Sequence, residues 1–244
     1  MSFKNVFLRQ CKMSYEKYKA RVPDTAPANG GILDSEALAL VSFCDLYNID
    51  VLIESGVFLG RSTEILCNYF IEQPLEIHSM DLRIIGEVSE KLSVFKNLTL
   101  HECDSTEKIP ELIALFTDKK VGLFIDGPKG SLQLDLAKKY INDVEFVALH
   151  DVGKEYTENT LENINKDTHQ EFITWDKSRF ITTESWYSDE YSCLNEDQIN
   201  WLRGRDVDKW PKRDDGYDSA AWNPVLDKIF PFGFGLGVAV KDEE

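Results

Sequence analysis

What most constrains this chain is a hydrophobic period that switches back and forth along its first two thirds. Short, nearly continuous apolar runs, DVLIES, LEIHSMD, LTLHECD, VGLFID and VEFVALHD, alternate with RSTEILCNYFIE, GEVSEKLSVF, TEKIPELIALF and SLQLDLAKKYI, whose apolar residues recur at helical spacing. A run of the first kind suits a strand buried on both faces, and a helix between two such strands must cross over so that the next strand returns parallel. The alternation predicts an α/β fold with a doubly wound, mostly parallel, Rossmann-like sheet. After Asp151 the rhythm weakens to a helix over EYTENTLENIN, a sixth strand over HQEFITW and a seventh in FGFGLGVAVK, giving seven strands, six parallel and one antiparallel. Ahead of the sheet, residues 2–20 read as a polar helix, and DSEALALVSFCDLYN reads as a second helix behind an Asp34/Ser35 cap.

Composition narrows the partners. The formal net charge of −16 over 244 residues argues against nucleic acid and anionic membranes, which call for a basic surface, and favours small molecules or cations. Five cysteines, at 11, 44, 67, 103 and 193, form no CxxC pair, so they read as reduced core thiols and not as a disulfide framework or a zinc site. Charges interrupt the apolar residues of the first helix, and no later run is long enough to span a bilayer. The expected location is the cytoplasm, and a homo-oligomer stays open.

In an open parallel sheet, ligands sit beyond the carboxyl ends of the strands where the strand order reverses. Those positions are acidic here: Glu54, Asp81, Asp104 and Asp126 end the first four strands, and His150 with Asp151 ends the fifth. The first strand runs into GVFLGRSTEIL, a turn with Gly56 and Gly60 that lacks both the GxGxxG of a dinucleotide loop and the GK[ST] of a triphosphate loop. Phe58 and Leu59 line it. With Asp81 placed to accept hydrogen bonds from ribose hydroxyls, a nucleoside carrying little phosphate fits best. Asp81 and Asp104 read equally as helix N-caps when taken singly, and Asp126 as a turn residue before glycine.

In order, ESGVFLGRS (54–62), Asp81, CDS (103–105), FIDGPKG (124–130) and LHD (149–151) resemble the motifs of class I S-adenosylmethionine-dependent methyltransferases, in the small-molecule, O-methyltransferase-like branch with ExGxxxGxS, IDG and HD. The resemblance covers about residues 30–175 and, more loosely, the last strand. It implies that Glu54, Gly56 and Gly60 surround the methionine end of S-adenosyl-L-methionine, with Phe58 and Ser62 also among the cofactor-binding residues. Asp81 then holds the ribose, Asp104 and Ser105 lie beside the adenine, and Asp126 borders the cofactor. Phe58 stands where the family often has a third glycine. The implied activity is methyl transfer to a hydroxyl oxygen of a sugar, phenol or secondary metabolite.

Asp126, Lys129, His150 and Asp151 are the catalytic candidates. Related sequences often carry a histidine after IDG, where this chain has Pro128 and Lys129. Lys129 reads as a base if its pKa is lowered and otherwise as a surface lysine. His150 and Asp151 read as a base pair, a ligand pair or a satisfied strand end. Asp126 and Asp151 end neighbouring strands and are candidate ligands of a divalent cation such as Mg²⁺. His78, His101 and His169 read as structural or exposed. The expected organisation is one domain: a helical lead-in (1–48), a cofactor-binding core (49–175), an aromatic-rich insertion (176–230) and a final strand with its tail (231–244). All five tryptophans lie in or beside the insertion, most of them read as core packing. Two rivals share the fold-level reading: a non-catalytic nucleoside-binding module, and a nucleotide-sugar or NAD-dependent enzyme.

Overall fold

The computed structural model describes residues 3–24, 31–129, 131–150, 180–182, 194–206 and 236–240. Its strands are β1 (Val51–Ser55), β2 (Glu76–Asp81), β3 (Leu98–Glu102), β4 (Val121–Ile125), β5 (Phe146–Leu149), β6 (Phe180–Thr182) and β7 (Gly237–Val240). They form one seven-stranded sheet in the order β3-β2-β1-β4-β5-β7-β6. β1 to β5 pair in parallel, while β7 runs antiparallel to both β5 and β6. The Rossmann-like sheet of six parallel strands and one antiparallel strand is therefore the one the sequence implies.

Helices α1 (Phe3–Arg21), α2 (Asp34–Tyr47), α3 (Arg61–Tyr69), α4 (Gly86–Leu92), α5 (Ser105–Leu115), α6 (Ser131–Tyr140) and α7 (Glu196–Asp206) surround it. Strand residues alternate between two cores. Leu52, Phe124, Phe146, Ala148 and Val238 face α1, α2 and α3, whereas Ile53, Leu123, Ile125, Val147 and Ala239 face α5 and α6. The pleat sends successive side chains to opposite faces, and the helices on both sides make both sets apolar. Helix α1 is less polar than its composition suggests: Phe7, Leu8, Cys11, Tyr15 and Tyr18 form a buried stripe, and Phe7 stacks on Phe43 of α2 at 4.3 Å. Among the described residues, no helix is long and apolar enough to cross a membrane.

Two sequence expectations change at the ends of elements. Asp34 and Ser35 do not cap α2. Leu33 occupies the N-cap without a side-chain bond, and the Glu36 carboxylate accepts from the Leu33 amide at 3.0 Å. Asp34 is instead fully buried, accepting hydrogen bonds from the Tyr18 hydroxyl at 2.8 Å and Arg61 at 2.6 Å and pairing with Arg205 of α7 at 2.8 Å. The strand expected over residues 169–175 lies outside the described residues. Besides β5, the strand that pairs with β7 is Phe180–Thr182, inside the stretch assigned to the insertion, as is α7.

On β2 and β3, His78 Nδ1 and His101 Nε2 lie 3.1 Å apart with the rings 16° from parallel. One ring must donate and the other accept, which requires a neutral imidazole. Burial pushes both rings below their ordinary value of 6.5, and for His101 the neighbouring His78 adds to it. Folded values below the unfolded ones mean that the pair's stabilisation is complete above 6.5 and is lost as the pH falls below it. The urea midpoint should therefore drop between about pH 7.5 and about pH 5.5, and His101→Gln should flatten that dependence; an unchanged slope would remove the pair as its source. Asp34→Ala should cost about 3–5 kcal/mol in urea unfolding, because it leaves buried guanidinium groups uncompensated; a loss below about 1 kcal/mol would show that they re-pair or become hydrated.

Candidate functional site

The strand order changes direction between β1 and β4, and the candidate residues gather beyond the carboxyl ends of these two strands and their neighbours. The Ser55 carbonyl accepts the amides of Asp126 (2.7 Å) and Gly127 (2.9 Å), tying the turn after β1 to the turn after β4. This approach explains Gly56. At φ +103°, a Cβ there would lie 2.7 Å from the Gly127 nitrogen. Gly60, at φ +76°, would place its Cβ 2.9 Å from Val88 Cγ1 on α4. Both glycines are thus demanded by packing within the protein as well as by turn geometry.

Asp81 closes the turn from the next strand. Its Oδ2 accepts the backbone amides of Val57 at 3.0 Å and Phe58 at 2.9 Å, and Oδ1 accepts that of Arg83 at 3.3 Å. The two successive amides form a small anion-binding concavity, and a carboxylate of the protein fills it. Phe58 itself has φ +46°, a left-handed conformation for a bulky residue.

Beneath the turn, Glu54 is fully buried. Its Oε2 accepts from Thr63 and Ser79, both at 2.6 Å, while Oε1 takes no aligned hydrogen bond among the described residues. Burial raises the Glu54 pKa, against the pull of the Ser62, Ser79 and Thr63 hydroxyls. Ser62 is buried on α3.

Beyond β4 and β5 lies a chain of alternating charge. His150 is buried, with Nδ1 2.9 Å from Asp126 Oδ1 and Nε2 3.0 Å from Glu36 Oε2. Lys129 Nζ also bonds Asp126 Oδ1. Burial would raise the Asp126 pKa, but the positive charges of His150 and Lys129 outweigh it and hold the carboxyl well below its usual range. Carboxylates only accept, so a doubly protonated imidazole satisfies Asp126 and Glu36 together. In this arrangement His150 orients Asp126, and it can act as a base only after releasing a partner. Gln133 braces the corner, donating to the Ile125 carbonyl at 2.7 Å and the His150 carbonyl at 3.1 Å.

Asp104 is the N-cap of α5, accepting from the Thr106 amide at 2.8 Å and hydroxyl at 2.7 Å, and these bonds lower its pKa. Ser105 is the first residue of that helix. Asp151 and His169 lie outside the described residues. Among the described residues, no group of three or more His, Cys, Asp or Glu side chains is arranged to hold a metal ion.

Sequence reasoning names the strand-end acids but misses Glu36 and Gln133. Glu36 sits three residues after the N-cap, a spacing that marks a capping role, yet nothing local announces a histidine partner 114 residues away. Gln133 lies in a helix that reads as ordinary amphipathic surface.

No protein-family model matches the chain, and no curated protein matches it. Among solved structures, it is similar to a candidate O-methyltransferase from Klebsiella pneumoniae, with 12% identity over 72% of this chain and 81% of that one and a TM-score of 0.46. It is also similar to the methyltransferase PaMTH1 of Podospora anserina, solved with S-adenosylhomocysteine bound: 13% identity, 96% and 88% coverage, TM-score 0.44. A cyclopropane-fatty-acyl-phospholipid synthase-like protein from Lactobacillus casei follows at 12% identity, 93% and 97% coverage and a TM-score of 0.39. At these identities and TM-scores the likenesses carry nothing about this chain's chemistry, which rests on its own residues.

Gly56→Val should lower the unfolding free energy by about 2–5 kcal/mol, combining a disfavoured φ with a clash against Gly127, whereas Gly86→Ala, which meets nothing within 4 Å, should be near neutral. Equal melting temperatures for the two variants would contradict the packing account of Gly56.

Proposed function

We propose that the chain binds S-adenosyl-L-methionine beyond β1, β2 and β3 and transfers its methyl group to a hydroxyl oxygen of a small molecule. The observation that carries this reading is the carboxylate in the glycine turn. A turn with free amides offers them to phosphate oxygens. Here the Val57 and Phe58 amides already end on Asp81, and the surrounding acids Glu54, Asp104 and Asp126 would repel a diphosphate. This disfavours NAD and nucleotide sugars. It suits a ligand with a ribose diol and a net positive charge, and the sulfonium and ammonium of S-adenosylmethionine supply that charge. The ordered sequence motifs point the same way.

Methyl transfer is an in-line displacement: the acceptor oxygen bonds the methyl carbon, and sulfur keeps the electron pair as S-adenosylhomocysteine departs. The chain's part is to align the two reactants and to manage the acceptor's proton. Asp126 Oδ1 is held by His150 and Lys129, while Oδ2 takes no hydrogen bond among the described residues. On this reading Oδ2 receives the acceptor hydroxyl. With its pKa held low, Asp126 orients that hydroxyl and does not keep its proton: the proton grows acidic as the oxygen bonds the methyl carbon and passes to solvent water, while Lys129, bonded to Oδ1, keeps the carboxylate ionised. The Mg²⁺ alternative has one ligand, Asp151, outside the described residues, and its other ligand, Asp126, already carries two cationic partners.

Calorimetric titration separates the rivals. S-adenosylhomocysteine should bind at roughly micromolar strength and NAD should not, and Asp81→Ala should weaken S-adenosylhomocysteine by about 1.5–3 kcal/mol. Binding of NAD in preference, or full affinity in Asp81→Ala, would end this reading. With methyl-labelled S-adenosylmethionine and a panel of hydroxylated small molecules, Asp126→Asn should abolish label transfer while keeping S-adenosylhomocysteine affinity. A wild-type protein that binds but never transfers the label to any acceptor would instead support the non-catalytic module.

A further inference from the structure

Asp126 Oδ1 carries two donors at once. His150 Nδ1 lies 2.9 Å from it, and the Lys129 ammonium, three residues along the same turn, bonds the same oxygen. A carboxylate oxygen offers roughly two lone-pair sites, so Oδ1 is filled. The turn that brings Lys129 there is itself fixed. The Ser55 carbonyl holds the amides of Asp126 and Gly127, and the Ser55 hydroxyl bonds the Gly127 carbonyl, so the lysine stem starts close to a backbone pinned to β1.

The charges at this corner balance within the protein. The carboxylates of Asp126 and Glu36 face Lys129 and His150, with Glu36 Oε2 3.0 Å from His150 Nε2. The Asp126 side chain is only 15% exposed, which sets its lysine pair apart from the solvated surface ion pairs that contribute little. A divalent cation asks for the opposite: unfilled carboxylate oxygens and uncompensated negative charge. To bind at Oδ1 it must first displace the ammonium or the imidazole. Binding at Oδ2 would set a doubly charged ion one carboxylate away from two positive groups.

We propose that Lys129 is a tethered cation that occupies the Asp126 carboxylate in place of a divalent metal ion, so that this corner is closed to Mg²⁺ and methyl transfer is metal-independent. The transfer half rests on the function proposed above; the closure of Asp126 does not. A chelated ion grips two neighbouring oxygens of an acceptor, whereas Asp126 Oδ2 holds one hydroxyl. The acceptor class is therefore a single hydroxyl, with no vicinal diol required.

The test measures Mn²⁺ binding, by the EPR signal of the free ion, in the wild type, Asp126→Asn, Lys129→Met, Lys129→Arg and the double variant Lys129→Met with Asp126→Asn. Thermal unfolding confirms that each is folded, and no cofactor or acceptor is needed. Acidic surface groups contribute a background that Asp126→Asn alone should leave unchanged. Lys129→Met should add a site about tenfold or more tighter than that background, the double variant should lose it, and Lys129→Arg, which keeps the charge, should add none. Wild-type Mn²⁺ affinity that falls in Asp126→Asn overturns the proposal, because the carboxylate would then take a metal with the lysine in place. Unaltered binding in Lys129→Met overturns it as well, since the ammonium would then exclude nothing. In the labelled-methyl assay, wild-type transfer should survive EDTA; transfer lost in EDTA and restored by Mg²⁺ also overturns it. A wild type that binds no S-adenosylhomocysteine fails the proposed function instead, and the Mn²⁺ comparison still decides whether Asp126 is closed.

Discussion

The Asp81 carboxylate, lodged against the amides of Val57 and Phe58, fixes more of the site than any other contact. A turn between a buried strand and a helix has backbone donors that must end somewhere, and what they end on determines what the turn can bind. Here a side chain from the neighbouring strand supplies the acceptor, so β2 shapes the loop of β1. The turn then needs no bound anion to hold its form, and it presents a negative face in place of an electropositive cradle. The positive φ at Phe58, whose amide is one of the two donors, belongs to the geometry set by that bond.

A second set of charges connects the site to the helices that precede the sheet. Glu36 reaches His150, and His150 reaches Asp126, so the start of α2 bears directly on the corner between β4 and β5. Two residues earlier on the same helix, Asp34 takes Arg61 from α3 and Arg205 from α7. A buried carboxylate between two guanidinium groups is favourable only while every partner is present. The lead-in and α7 therefore share in positioning the site: one turn of α2 sends one carboxylate toward the β4–β5 corner and another into the arginine pair.

Local pattern made much of this legible. Period and run length place β1 to β5 and the helices between them, and the rule that ligands gather at strand carboxyl ends brings Glu54, Asp81 and Asp126 forward from the sequence alone. What local pattern cannot carry is partnership across the chain. Asp34 looks like a helix cap because aspartate before an apolar run usually is one, and only the folded arrangement brings Arg61 and Arg205 to it. Asp104 shows the reverse, since the cap reading describes the bonds it makes. A three-residue strand such as Phe180–Thr182 has too short a period to register, and its position depends on a partner more than fifty residues further on.

That partner has an awkward place in the order of synthesis. β7 lies between β5 and β6 in space yet follows both in the chain, so on a growing polypeptide the five parallel strands can assemble with β5 as an open edge while β6 has no neighbour to join. The antiparallel wing closes only when residues 237–240 emerge and slide between the two. Until then the sheet exposes unpaired backbone on the side that bears His150. Completion of that side thus waits for a strand that is made after both of its neighbours.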